Sequence, residues 1–375
     1  MLEKAFERCG RSSIGLKSDA YRLNLVDIIL PRSSQFRELS LRLEPDVFHE
    51  FLCWPPGLFD ALECVDLWYG YSIQIPSEKA RVFQGSPMLQ RVTIQALYEE
   101  QPLFPSFPLP LGLPWAQLTQ LDFGIIRIPL TVVHKLMDLC SNIHECHLCL
   151  YSDSDFTDPF DAREYSTGTI LLPCLRELDI TVRGEDPTVD LYCRYLRPLR
   201  LPALQEFNFL LPEDEEELTS AFAAMIIDLS TSHPSLRSEL CYLGSSFCAA
   251  EILAPLTFVT SITIPYCSLP RSAMELIFQG EIFPKLASLA VCIKPVDMEA
   301  FMAMLRMQWS LKSESQLPHT FTGIRSVNLC IDDSIAEFSH FTQEMDRLRD
   351  QFNLDIKLSR TEYDIISSCR CIGIA

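Results

Sequence analysis

The chain has 375 residues, 48% of them hydrophobic, and a formal net charge of −19 from 50 acidic and 31 basic side chains. That much apolar material, with only 13 glycines, supports a continuous core and excludes a disordered chain. The charge argues against non-specific nucleic-acid binding and against adsorption to an anionic membrane, because both need a basic face.

The chain starts with Met1 to Cys9, which carries Glu3, Lys4, Glu7 and Arg8 and has no apolar segment of the kind a secretion signal needs. A weak strand is expected at Ser13 to Lys17. From Phe36 onward an apolar-x-x-apolar-x-apolar template recurs. It matches at Phe36, Leu39, Leu41; Leu62, Val65, Leu67; Leu89, Val92, Ile94; Leu118, Leu121, Phe123; and Ile143, Cys146, Leu148. Further matches follow at Leu175, Leu178, Ile180; Leu204, Phe207, Phe209; Val259, Ile262, Ile264; Leu286, Leu289, Val291; and Ile324, Val327, Leu329. Most neighbours lie roughly 24 to 32 residues apart, the last interval about 38, which is a repeat period rather than chance spacing. A strand near Leu236 to Leu243 breaks phase, and Asp355 to Leu358 closes the series.

The stretch Leu113 to Leu150 shows the unit in full. Leu121 and Phe123 share one strand face. Ile125 to Leu139 then reads as helical, with Val132, Val133, Leu136 and Leu139 on one side. Ile143, Cys146 and Leu148 begin the next strand. Other helices are expected at Val47 to Leu52, Ser77 to Phe83, Leu218 to Leu229, Arg271 to Phe278 and Met298 to Trp309. Pro87, Pro114, Pro173, Pro202, Pro234 and Pro284 stand before strands, where proline ends a helix and sets an extended entry. Three segments leave the pattern: the proline-rich Gln101 to Pro114 with overlapping PxxP at Pro102, Pro105 and Pro108, an aspartate-rich insertion after Tyr151, and EDEEE at Glu213 to Glu217. They read as a stiff connection, a polar loop and a solvated helix start.

The expected architecture is therefore α/β: an irregular leucine-rich-repeat-like solenoid, with a parallel strand ladder on the concave face and helices outside. Its expected limits are an N-terminal partial repeat or cap at 1–35, about ten repeats over 36–358, and a tail at 359–375. Fifteen cysteines, many at apolar template positions, read as small buried hydrophobes of a reducing compartment. No run reaches the ~20 apolar residues of a membrane span, and Cys371 is misplaced for a prenylation box. The expected location is cytoplasmic or nuclear.

Cys140, His144, Cys146, His147 and Cys149 suggest a metal at first sight. Cys146 occupies an inward position, however, whereas His147 and Cys149 should face the other way, so one strand cannot aim them at one ion. No metal and no cofactor is expected. Catalytic signatures are absent from the sequence: there is no GxSxG, Walker loop, GxGxxG, HExxH or kinase motif. The chain reads as a non-enzyme. Binding is expected on the residues alternating with the apolar ones, which a ladder turns to solvent. Those chosen as the partner-binding face are Arg42, Asp66, Trp68, Gln95, Asp122, His147, Asp179 and Asn208. Trp68 is the expected anchor, since aromatic side chains carry many interfaces, unless it only packs on Tyr69 and Tyr71.

LPWAQLTQL followed by LMDLCSNIHECHL resembles a stretch of fungal (basidiomycete-type) F-box proteins with a leucine-rich-repeat-like region. FRELSLRLEPDVFHEFLCWPPGLFDALECVDL, VFQGSPMLQRVTI, LPCLRELDI and MLRMQWSLKSESQLPHTFTGIRSVNL extend the likeness, in order, over Phe36 to Leu329. The resemblance implies the substrate-recognition region of an SCF-type ubiquitin ligase adaptor, whose repeats hold a protein target. In that family an F-box binds a Skp1-like subunit. Here the dozen residues before Ser13 are too few for a three-helix module, so that contact is expected only from an F-box upstream of this sequence. The alternative is a stand-alone leucine-rich-repeat-like binding protein with no ligase link.

Overall fold

The computed structural model describes residues 14–18, 29–69, 80–96, 111–151, 169–183, 196–210, 224–225, 239–241, 257, 259–268, 271–292, 295–313, 323–330 and 338–359. The expectations for the PxxP segment, the aspartate-rich insertion, the EDEEE run and the C-terminal tail fall outside these residues, as does most of the helix expected at 218–229. The chain divides into two compact units: Met1–Arg176 with Arg183–Asp186 and Pro198–Pro202, and Glu177–Val182 with Pro187–Arg197 and Ala203–Ala375.

In the first unit six strands lie side by side in chain order, every pairing parallel: β1 (Ile14–Ser18), β2 (Phe36–Leu43), β3 (Cys64–Tyr69), β4 (Arg91–Ala96), β5 (Gln120–Pro129) and β6 (Glu145–Tyr151). Parallel neighbours cannot be joined by a hairpin, so each repeat needs a crossover. Helices α1 (Pro45–Leu52) and α2 (Leu130–Leu139) belong to two of these crossovers. The middle apolar positions of the template stand in one register row, Leu39, Val65, Val92, Leu121 and Cys146, and none is more than 1% exposed. A small parallel pair, β7 (Ile170–Leu171) with β9 (Leu199–Arg200), also belongs to this unit.

Register is locked at the strand entries by a repeated hydrogen-bond device. The Glu63 carbonyl accepts the amides of Gln90 and Arg91, that of Gln90 accepts Thr119 and Gln120, and that of Thr119 accepts His144 and Glu145, at 2.7–3.1 Å. Equivalent positions thus satisfy each other from one repeat to the next, as buried backbone groups require. On the apolar side Phe48 of α1 packs on Tyr69 with ring centroids 4.8 Å apart. Phe51 lies against Trp54, Phe59 and Phe83.

The strand expected at Ser13 to Lys17 is present, as Ile14–Ser18, and pairs with β2 with a register shift between Ile14 and Gly15. Several expectations need correcting. Ile125 to Pro129 is strand rather than helix: β5 continues to Pro129, and only from Leu130 does the chain turn helical. Three isoleucines favour extended backbone there, and Pro129 (φ −60, ψ 136) occupies the N-cap. The described part of the helix expected over 77–83 is turn, closed by Gln84 N–H to the Arg81 carbonyl and Ser86 N–H to that of Phe83. Val82 and Phe83 are nevertheless fully buried, which explains their apolar spacing.

In the second unit β8 (Glu177–Arg183) and β10 (Glu206–Leu210) pair in parallel, Leu178 with Phe207 and Ile180 with Phe209. A five-stranded sheet, again parallel and in chain order, comprises β11 (Glu239–Cys241), β12 (Ser261–Ser268), β13 (Ser288–Cys292), β14 (Ser326–Cys330) and β15 (Asp355–Ser359). Leu240, Ile262, Leu289, Val327 and Ile356 form its central row. Helices α3 (Arg271–Gln279), α4 (Pro295–Ser313) and α5 (Phe338–Phe352) lie in its crossovers. Phe278 meets Phe301 edge-on and Trp309 stacks with Phe352. The Arg325 amide repeats the entry device on the Ala287 carbonyl, and that of Asp355 on Arg325. The fold is thus an α/β parallel ladder of the leucine-rich-repeat-like kind. Among the described residues no helix is long and apolar enough to cross a membrane.

Candidate functional site

The side chains alternating with the buried row define the polar face of the first unit. Parallel register brings Ser40, Asp66, Thr93, Asp122 and His147 into one line across β2 to β6. One step further along the strands stand Arg42, Trp68 and Gln95, also side by side. Six residues selected from the sequence therefore gather here: Arg42, Asp66, Trp68, Gln95, Asp122 and His147. All six are half-buried, because neighbouring side chains on a ladder lean on one another.

Each acid on this face is held. Ser40 donates its hydroxyl to Asp66 Oδ2 at 2.8 Å. Gln95 donates Nε2–H to Asp122 Oδ2 at 3.2 Å, and the Gly124 backbone N–H donates to Asp122 Oδ1 at 2.7 Å. His147 Nδ1 lies 4.0 Å from Asp122 Oδ2, just beyond a direct hydrogen bond. The Arg42 guanidinium sits over the Trp68 ring, 5.4 Å from its centroid, a cation–π geometry. Trp68 does not pack with Tyr69, which points to the opposite face and meets Phe48; Tyr71 lies outside the described residues. Nearer the strand entries Arg91 pairs with Glu38 at 3.4 Å, both well exposed.

Gly124 carries a feature that the sequence reading missed. The β5–β6 register breaks between Asp122 and Arg127, and Gly124 at φ +50 makes the break. A Cβ there would come within 3.0 Å of Gln95 Cγ. Glycine inside a strand pattern is a recognised mark of a bulge, and the segment Asp122–Phe123–Gly124 contains that signal.

The other two selected residues are placed differently. Asp179 and Asn208 belong to the second unit and pair in register, Asn208 donating Nδ2–H to Asp179 Oδ1. They are only 4% and 3% exposed, so the expectation that they face solvent is corrected. A carboxylate tolerates this burial when a donor accompanies it. Cys149 is likewise buried rather than turned outward, since β6 loses its alternation from Leu148 to Leu150. Cys140 and Cys146 are both buried, and burial pushes the Cys140 thiol up to about 12.

No protein-family model matches the chain, and no curated protein matches it either.

Proposed function

We propose that this protein is a non-enzymatic interaction scaffold whose first unit binds a protein target on the polar face of β2 to β6. The observation that carries the reading is the register line Ser40–Asp66–Thr93–Asp122–His147, flanked by Trp68 over Arg42. Polar side chains ordered by one another on a hydrogen-bonded sheet lose little entropy on binding, which favours affinity. A half-buried tryptophan with a guanidinium partner is the composition of an interface anchor. The resemblance of the repeats to fungal F-box proteins supports a more specific role, target recognition for an SCF-type ubiquitin ligase. A Skp1-like subunit would then bind outside the ladder. The second reading is a stand-alone leucine-rich-repeat-like binding protein with no ligase link.

The test is affinity capture with the tagged full chain, comparing wild type with Asp122→Arg and Trp68→Ala. A target retained by wild type and lost by both folded variants supports the scaffold reading. Equal capture by all three overturns it. Co-recovery of a Skp1-like subunit and a cullin supports the adaptor role, and a captured target without them leaves the stand-alone binder.

A further inference from the structure

We propose that the polar face of β3 to β5 takes a cationic polyproline-II segment bearing a lysine or arginine at every third residue. This deepens the reading above and rests on it. Asp66 and Asp122 stand in the same register line on β3 and β5, with Thr93 of β4 between them. Two strand spacings separate them, about 9.6 Å. A polyproline-II helix repeats every three residues and rises about 9.3 Å in doing so. Side chains at i and i+3 of such a segment, laid across the strands, therefore meet both carboxylates. A β-extended segment fits worse, since its same-side residues recur at about 6.6 Å and about 13 Å.

Charge selects the sign of the occupant. Of the cations on this face, Arg91 is paired with Glu38, Arg42 is stacked on Trp68 and Arg127 on Tyr151, and the His147 imidazole lies 4.0 Å from Asp122 Oδ2. The Asp66 and Asp122 carboxylates are met by neutral donors, Ser40, Gln95 and the Gly124 amide. A carboxylate accepts about four hydrogen bonds, so both retain capacity. Asp66 is the less satisfied: among the described residues its Oδ1 is shielded from water and has no donor. That shielded oxygen stays out of a ligand's reach, so an arriving ammonium or guanidinium would meet Asp66 through Oδ2, beside the Ser40 hydroxyl. Trp68, two residues along β3 from Asp66, offers the aromatic surface on which polyproline-II ligands dock. The chain's overall charge of −19 steers cationic partners toward it.

The experiment is fluorescence anisotropy with the full chain and four labelled peptides of equal charge. Their lysines are placed at every third residue of a proline background, at every second residue of a serine–threonine background, at every seventh of an alanine helix, and in scrambled order. The first should bind at least about five-fold tighter than the others, the gain from one well-placed ion pair. Asp66→Asn and Asp122→Asn, which keep the side-chain shape and remove the charge, should each remove that preference while circular dichroism stays unchanged. Equal binding of all four peptides, or a preference untouched by both variants, overturns the proposal. So does tightest binding of the helical peptide. If no peptide binds while target capture still depends on Trp68 and Asp122, the ligand class fails and the scaffold reading survives. If capture is also indifferent to both residues, the two fail together.

Discussion

Asp122 Oδ1 accepts the backbone N–H of Gly124 at 2.7 Å, closing a tight turn in the middle of a strand. The turn needs the left-handed backbone of Gly124, φ +50, and leaves no room for a side chain, because a Cβ would lie 3.0 Å from Gln95 Cγ and 3.1 Å from Cδ. Gln95 is also the residue that donates to the other Asp122 oxygen. Gly124→Ala should therefore cost about 1–2 kcal/mol of stability from the backbone conformation alone, and displace Gln95 as well. Gly57→Ala is the control, since its φ is +75 but nothing lies within 4 Å of its Cβ. Denaturant midpoints of the two variants measure the difference. Equal losses would mean that the contact with Gln95 contributes nothing.

Adjacent residues on one strand should respond in opposite ways. Leu121 is 1% exposed and belongs to the buried row, whereas Asp122 is half-buried on the polar face. Leu121→Asp places an unpaired charge in the core and should cost more than about 3 kcal/mol. Asp122→Asn should leave the unfolding midpoint within about 1 kcal/mol of wild type, the usual size of one hydrogen bond's contribution. Thermal unfolding of both reads the inward and outward assignments directly.

The ladder was legible because its period is physical. Leu39, Val65, Val92, Leu121 and Cys146 were picked out by spacing alone, and they pair rung to rung. The polar line beside them follows from alternation, so Asp66, Asp122 and His147 were legible too. Alternation failed where backbone irregularity or polar pairing took over. Cys149 turns inward in β6, and Asn208 donates to Asp179 under cover, which no single-strand pattern can reveal. Helix α5 escaped notice because its buried stripe is narrow, with Met345 and Leu348 set among Glu344, Asp346, Arg347 and Arg349. Its side chains instead pair along the surface, Arg347 with Glu344 and Arg349 with Asp346.

Stability should fall at alkaline pH through Cys140. Burial raises its thiol from 9.0 to about 12, because the thiolate cannot be solvated there. The unfolded chain thus loses this proton first as pH rises. Below pH 9 the contribution is intact, and between 9 and about 12 it declines by up to about 1.4 kcal/mol per pH unit. Cys140→Ala, compared with wild type by urea unfolding from pH 8 to 10.5, should flatten that dependence. In the same pH range Cys53, which is exposed, should react with a thiol reagent well before Cys140 does. Modification of Cys140 at the rate of Cys53 in the folded chain would contradict its burial.

Gln308 presents the opposite case, a polar group whose removal should help. It lies on the inward face of α4 with Phe301, Leu305 and Met304, and its side chain is 0% exposed. Among the described residues neither its amide nitrogen nor its carbonyl oxygen has a hydrogen-bond partner. Leaving such groups unsatisfied costs about 1–3 kcal/mol, and leucine occupies a similar volume without that cost. Leucine is also the better helix former. Gln308→Leu should raise the unfolding midpoint, whereas Gln308→Ala should gain less or lose, since it trades the unsatisfied amide for a cavity. The order Leu, then Gln, then Ala in denaturant stability would establish that the amide is unsatisfied and the site tightly packed. A loss on Gln308→Leu would show instead that the amide has a partner, and the packing around α4 would have to be redrawn to include one.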